Sequence, residues 1–380
     1  GKIASFAPDA AGGTSYTLAI REFKANLGLV DATGRSITTT LWGYGTAAQA
    51  PSYPGRTFNV RRGKAITVRY QNELLNSAGP LPHRLPVDTT IDWANPGNLG
   101  GRAPVPLVAH RHGGDQGTAS DGLPDGWSTP DANKDGMPDY RGRIYSAAYT
   151  FDNSQEAGHL WYHDHALGVT RLNVYMGLAG NYFIRDSNED VLVRYGHLPA
   201  YPYEVPVCIQ DRSFTSTGAL NYPATDPANP SAPTPTHLPE FFGDIIVANG
   251  VPWPVFNCEK RMYRLRLLNG IRNAISLGVG DRLFLRVERQ PDLLAHVLRA
   301  GPAHQRVDLC RPTGVWRSRR AWIADRTSAC TVDSSSRAAC WSWRFIDFGM
   351  RTARNTTSSR TSGFLAAATA WTSFAHRERD

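Results

Sequence analysis

Four histidines in two short stretches constrain this chain more than anything else in it. His110-Arg111-His112-Gly113-Gly114 and Trp161-Tyr162-His163-Asp164-His165 lie about fifty residues apart. Each is a His-x-His pair. Side chains alternate faces along a β-strand, so each pair presents two imidazoles on one face. Two such strands laid side by side bring four imidazoles together. Imidazole suits copper, zinc, iron and nickel, and copper binds such donors most tightly among the divalent first-row metals. Asp164 falls on the opposite face, where it is expected to hydrogen-bond nearby backbone or to position a ring.

The rest of the sequence reads as strands. Glycine and proline are plentiful, at 35 and 26 of 380 residues, and Val, Thr, Tyr and Phe recur in short runs that favour strands and turns over long helices. Strands are expected at 16–20, 38–44, 56–61, 65–70, 107–112, 158–163 and 180–184, a spacing that suggests a β-sandwich. The polar run Asp186–Asp190 reads as a linker. A second unit starts near Tyr203, passes through a proline-rich loop from Tyr222 to Thr236, and resumes at 244–248 with a turn at Asn249-Gly250. The run Tyr263–Leu268 alternates, with leucine expected inward and arginine outward. This length allows two or more domains. No apolar run reaches about eighteen residues, so no transmembrane helix is expected. The opening GKIASFAPDAAGG lacks a basic segment followed by an apolar stretch, so no signal peptide is expected there.

The formal net charge of +8 resembles a nucleic-acid signal, but its distribution argues against one. Fifteen arginines and eight acids fall after Val287, and the remainder is nearly neutral. No nucleic-acid partner is expected. No tyrosine occurs beyond Tyr263, although the chain has 15. Turn chemistry fades after Val287, and local preferences stop agreeing with any fold. Residues 288–380 therefore read as a frameshifted product or as a basic, disordered tail. Five cysteines, Cys208, Cys258, Cys310, Cys330 and Cys340, form no Cys-x-x-Cys. Cys208 and Cys258 are expected as buried thiols rather than a disulfide. In the loop between the histidine pairs, Asp131, Asn133, Asp135 and Asp139 alternate around Gly136 like a calcium loop, but Gly142 stands where the twelfth-position Glu belongs.

The residues of several stretches resemble the multicopper oxidases, in the bacterial branch of spore-coat laccases, bilirubin oxidases and phenoxazinone synthase. The stretches are LPHRLPVDTTI, HRHGG, SDGLPDGW, GHLWYHDHALGVTRLNVYMGLAGNYFI, VPVCIQDRSF, EFFGDIIVANG and YRLRLLNGIRN. They run in family order from about Leu81 to Asn273, about half the chain. The resemblance implies an all-β chain of tandem cupredoxin-like Greek-key sandwiches. Domain 1 would span residues 1–186, an incomplete domain 2 residues 187–287, and the unrelated basic tail residues 288–380. It also implies copper. His110 resembles a ligand of the type 2 copper, His112 and His163 ligands of one type 3 copper, and His165 a ligand of the other. Asp121 matches an acid to which the family assigns proton delivery. His83 is expected to make a structural hydrogen bond, and His159, His197, His237, His296, His304 and His376 lack ligand spacing.

The sequence departs from the family after Asn273. No His-Pro-x-His-x-His and no His-Cys-His segment follows. The type 1 copper site and half of the cluster ligands are therefore missing. The resemblance implies a laccase-type oxidase of phenolic or aromatic-amine reductants with O2 reduced to water, but the chain as given is expected to lack turnover. The alternatives are a non-catalytic copper-binding module and a structural coat or surface protein derived from an oxidase. The family's address is extracytoplasmic or on a spore or cell surface. The sequence specifies no oligomeric state.

Overall fold

The computed structural model describes residues 14–232, 234–235, 241–258 and 261–270, with further strands at 274–279, 283–288, 294–299 and 305–308. The described part is all-β apart from short helical turns. The first sandwich contains β1 (Ser15–Ala25), β2 (Thr39–Gly45), β3 (Gly55–Arg61), β4 (Ile66–Asn72), the short ladder of β5 (Leu75–Asn76) and β6 (Gly79–Pro80), then β7 (Ala109–His112), β8 (Tyr149–Phe151), β9 (Gly158–Asp164) and β10 (Ala179–Arg185). One sheet has the order β2-β1-β4-β8 and the other β3-β10-β9-β7. Each contains one parallel pair, β1 with β4 and β3 with β10.

Period-2 alternation puts Tyr16, Leu18 and Ile20 of β1 into the core with Trp42, Phe58, Val68, Tyr162 and Tyr182. Full burial of each such apolar side chain contributes about 1.5–3 kcal/mol. Tyr162 is seated by absent side chains. A Cβ on Gly180 would lie 2.5 Å from its ring, and one on Gly55 would lie 2.5 Å from its hydroxyl. That hydroxyl donates to the Arg56 carbonyl at 2.7 Å.

Two helices follow the histidine strands. The first, α1, spans Thr170–Tyr175. The second, α2, spans Ser187–Arg194 and occupies the run expected to be a linker. Polarity alone misleads there. Asp186 is an N-cap whose side chain accepts from the Glu189 amide at 2.8 Å, which is a helix-start signal.

The second unit contains β11 (Glu204–Arg212), β12 (Ile245–Ala248), β13 (Val251–Pro252), β14 (Val255–Cys258), β15 (Met262–Asn269), β16 (Ala274–Val279), β17 (Leu283–Glu288), β18 (Leu294–Arg299) and β19 (Gln305–Asp308). Its main sheet has the order β13-β12-β11-β15-β18. Asn249 and Gly250 make the β12–β13 turn, both with positive φ, 50° and 78°, as a two-residue hairpin turn requires. Strands thus continue past Val287, where sequence texture suggested they end. Residues 309–380, with Cys310, Cys330 and Cys340, lie outside the described residues, as does the side chain of Cys258.

Arginine does not point uniformly outward on β15. Arg266 is buried, because Glu189 of α2 and Glu204 of β11 supply carboxylates to meet it. Glu189 of α2 accepts from Arg185, Arg264 and Arg266, the Arg185 and Arg266 contacts at 2.8 and 2.7 Å. Glu204 of β11 accepts from Arg185 and Arg266, both at 2.7 Å. Burial works to raise the Glu204 carboxyl, but Arg185 and Arg266 outweigh it and hold it below the usual range. Among the described residues, no helix is long and apolar enough to cross a membrane.

Candidate metal centre

β7 and β9 are antiparallel neighbours in a register that places His110 opposite His163 and His112 opposite Trp161. The alternation predicted from sequence holds on both strands. Ala109 and Arg111 of β7, and Leu160, Tyr162 and Asp164 of β9, are buried. The intervening residues bring their rings together on the other face. The His110 ring centroid lies 5.6 Å from that of His112 and 5.5 Å from that of His163. His165, just past β9, stacks on His110 at 4.8 Å. The side-chain nitrogens of His110, His112 and His163 include one from each that all lie within 4.8 Å of one another.

Backbone carbonyls fix three of the four rings. His110 Nδ1 donates to the Asp121 carbonyl at 2.5 Å, His163 Nδ1 to the Asp164 carbonyl at 2.6 Å, and His165 Nδ1 to the Gly122 carbonyl at 3.2 Å. A carbonyl only accepts, so each Nδ1 carries the proton and each neutral ring keeps its lone pair on Nε2. The turn that supplies two of these carbonyls packs directly on β7. Gly122 has φ +70°, and a Cβ there would lie 1.9 Å from the Ala109 carbonyl. A larger residue would push the turn and both carbonyls away.

His112 is the exception. Its Nδ1 lies 3.2 Å from His163 Nε2. Two nitrogens each about 2.0 Å from one tetrahedral ion lie about 3.3 Å apart. The lone pair on His163 Nε2 therefore faces a nitrogen at the separation of two ligands sharing an ion. Burial, with His110, His112 and His165 nearby, lowers His163 to about 3. Burial also lowers His112 and His165, helped by the neighbouring imidazoles. Neutral rings are the form a metal ion needs.

Other groups complete the surroundings. Trp161 stacks on His112 at 5.2 Å and on His163 at 4.2 Å. It shares their strand face, so its position was readable from the same alternation, although no rule of ligand chemistry singles it out. Asp121 sits at the rim, its Oδ1 3.6 Å from His110 Nδ1. Gln116 donates to that Oδ1 at 2.7 Å and accepts from Arg111 Nε at 2.7 Å. Arg111 is buried against the Phe151 ring. Asp164 is also buried, and burial raises its carboxyl to about 7 against the pull of its hydrogen bonds.

The remaining histidines have other partners. His83 Nε2 meets Asn173 Oδ1 at 3.1 Å while its Nδ1 accepts from the Leu85 amide at 2.9 Å. His159 Nε2 meets Asn181 Oδ1 at 2.9 Å. His197 is exposed. His237, His304 and His376 lie outside the described residues, as does the side chain of His296. In the acidic loop the carboxylates serve the loop's own backbone. Asp131 accepts from the amides of Asp135 and Gly136 at 3.1 and 2.9 Å, and Asp139 from those of Ala132 and Asn133 at 3.1 and 3.3 Å. Asp135 accepts from the Met137 amide. Among the described residues, its acids form no convergent group of three ligands; the histidine cluster does.

Residues 104–189, which contain all four histidines, match the multicopper oxidase family model. Over those residues the chain is similar to the multicopper oxidases, and copper and oxidoreductase chemistry are attributes of that family. Its relatives include a laccase of Bacillus subtilis, 38% identical over 232 residues, covering 61% of this chain and 41% of that protein. A laccase of Bacillus stratosphericus is 39% identical over 234 residues, again covering 61% and 41%. A laccase structure from Pediococcus acidilactici aligns with 80% of this chain and 54% of its own at 22% identity and a TM-score of 0.47. The chain thus spans about 41% of the length of the Bacillus relatives it matches.

Proposed function

We propose that this chain holds copper through His110, His112, His163 and His165 as one half of an oxidase's oxygen-reducing cluster. The single observation that carries this reading is the convergence of four imidazoles, with His112 Nδ1 and His163 Nε2 only 3.2 Å apart. Three rings are tied through Nδ1 to backbone carbonyls, which aims their Nε2 atoms without adding charge. By family position, His110 serves a type 2 copper, His112 and His163 one type 3 copper, and His165 the other. Bound copper supplies one-electron chemistry toward dioxygen. Asp121, at the rim and held by Gln116, is placed to hold a proton beside the cluster.

The complete oxidase takes electrons from a phenolic or aromatic-amine reductant and reduces O2 to water. The given sequence contains no His-Cys-His segment. This chain by itself therefore holds copper without turnover. The test loads the full chain with Cu(II), removes excess and weighs bound metal per chain. Wild type is expected to retain copper and His163→Ala to lose most of it, with no oxygen uptake on a phenolic reductant from either. Equal retention by both proteins defeats the reading, and oxygen uptake by wild type defeats the statement about turnover.

A further inference from the structure

We propose that Asp164 is a positioning residue that ties the two histidine strands together at their copper-holding ends, a role that rests on the copper reading above. Asp164 stands between His163 and His165 but faces the core, with only 1% of its surface exposed. A buried carboxylate is costly unless hydrogen bonds satisfy it. This one is met by donors on every side. Its Oδ2 accepts from the Val108 amide at 3.0 Å. Its Oδ1 accepts from the Ala166 amide at 3.1 Å and from Asn173 Nδ2 at 2.7 Å.

The positions of those donors give the carboxylate its function. Val108 lies two residues before His110, and Ala166 directly follows His165. One carboxylate therefore bridges the entry to β7 and the exit from β9. The Val108 carbonyl closes the loop by accepting from the His165 amide at 2.8 Å. This ring of bonds pins the register in which His110 faces His163. A slip of one residue would exchange the faces and send imidazoles into the core. Asn173 is itself oriented, since its Nδ2 also donates to the Pro106 carbonyl at 3.0 Å and its Oδ1 faces His83 Nε2. His83 has its Nδ1 occupied by the Leu85 amide, so its Nε2 is the donor. The chain His83–Asn173–Asp164 ends on the backbone that carries the ligands, and loss of such outer partners typically costs 10- to 100-fold in metal affinity.

Asp164→Asn is nearly isosteric and discriminating. It keeps an oxygen for Ala166 and Asn173 but turns an NH2 toward the Val108 N–H. Cu(II) titration of the full chain against a competing chelator should show affinity falling by about 10- to 100-fold, with an altered EPR spectrum of the copper that still binds. In the metal-free protein, hydrogen exchange should quicken at the Val108 amide and stay unchanged at the Val68 amide in the opposite sheet. Unchanged affinity and spectrum, or exchange that quickens equally at both amides, overturns the proposal. Should Asp164→Asn fail to fold, Asn173→Ala removes one tie and leaves the carboxylate. It is expected to lower copper affinity and change the spectrum, and wild-type values for both overturn the proposal. A wild-type chain that binds no copper defeats the copper reading separately, while selective exchange at Val108 would still report the tie.

Discussion

β10 runs between two polar clusters of opposite kind. At its start, Ala179 pairs with His163 and the imidazole cluster. At its end, Arg185 joins Arg264, Arg266, Glu189 and Glu204. The second cluster is satisfied from within, each cation facing a carboxylate. The first contains no ion pair among its rings, and one nitrogen each of His110, His112 and His163 converge within 4.8 Å. Burial lowers His112, His163 and His165 and favours their neutral form, whereas Arg185 and Arg266 hold Glu204 below the usual carboxylate range. A cluster closed on itself holds protein units together. A cluster of convergent imidazole nitrogens is the arrangement proposed above to take a cation.

The largest test of this contrast is Glu189→Ala. It leaves Glu204 as the single carboxylate facing Arg185, Arg264 and Arg266 in a site of low exposure and should cost about 3 kcal/mol, read from denaturant unfolding. Copper retention by the folded fraction should be unchanged. Loss of copper binding in step with the loss of stability would show that the two clusters are one cooperative device.

Acid should act behind both clusters at once. Burial lowers His83, behind the imidazoles, and His159, beside the ionic cluster, to about 4. An unfolded histidine takes its proton near 6.5. Between these values the unfolded chain binds more protons, so stability rises with pH. Their contribution is complete above about pH 6.5 and is lost as pH falls toward 4. Unfolding midpoints measured from pH 7 to 5 should decline, and His159→Gln should flatten the decline. A midpoint independent of pH across that range would contradict the burial of both rings.

The smallest effect belongs to the next residue along α2 from Glu189. Asp190 pairs with Arg61 at 2.6 Å, but both side chains are about half exposed. Exposed pairs contribute little. Asp190→Ala should leave the unfolding midpoint unchanged within error, against the large loss at Glu189. A comparable loss at both sites would mean that burial does not set the difference.

Much of the first cluster was legible in sequence. Period-2 alternation put His110 with His112, and His163 with His165, each pair on one strand face with Asp164 on the other, and the convergence of the pairs followed once the two strands lay side by side. Seven strands of the first sandwich were visible in the same way, to within a few residues at their ends, while β8 and the short β5–β6 ladder were not. The second cluster was not legible. Arg266 looked outward because arginine is usually solvated, and nothing local shows that Glu189 and Glu204 approach it from 77 and 62 positions away. Gln116 and Asn173 escaped for the same reason, since their roles depend on partners brought near only by the fold. The helix at Ser187–Arg194 was missed although its capping signal, Asp186 followed by Glu189, was local.

The most direct measurement is electron spin-echo envelope modulation of the full chain loaded with Cu(II), which reads the remote ring nitrogen of each bound imidazole. Wild type should show modulation from several histidines, reduced in His163→Ala and abolished when His110, His112, His163 and His165 are all replaced by alanine. Copper bound without imidazole modulation, or modulation that survives the fourfold replacement, would contradict the assignment of these rings as its ligands.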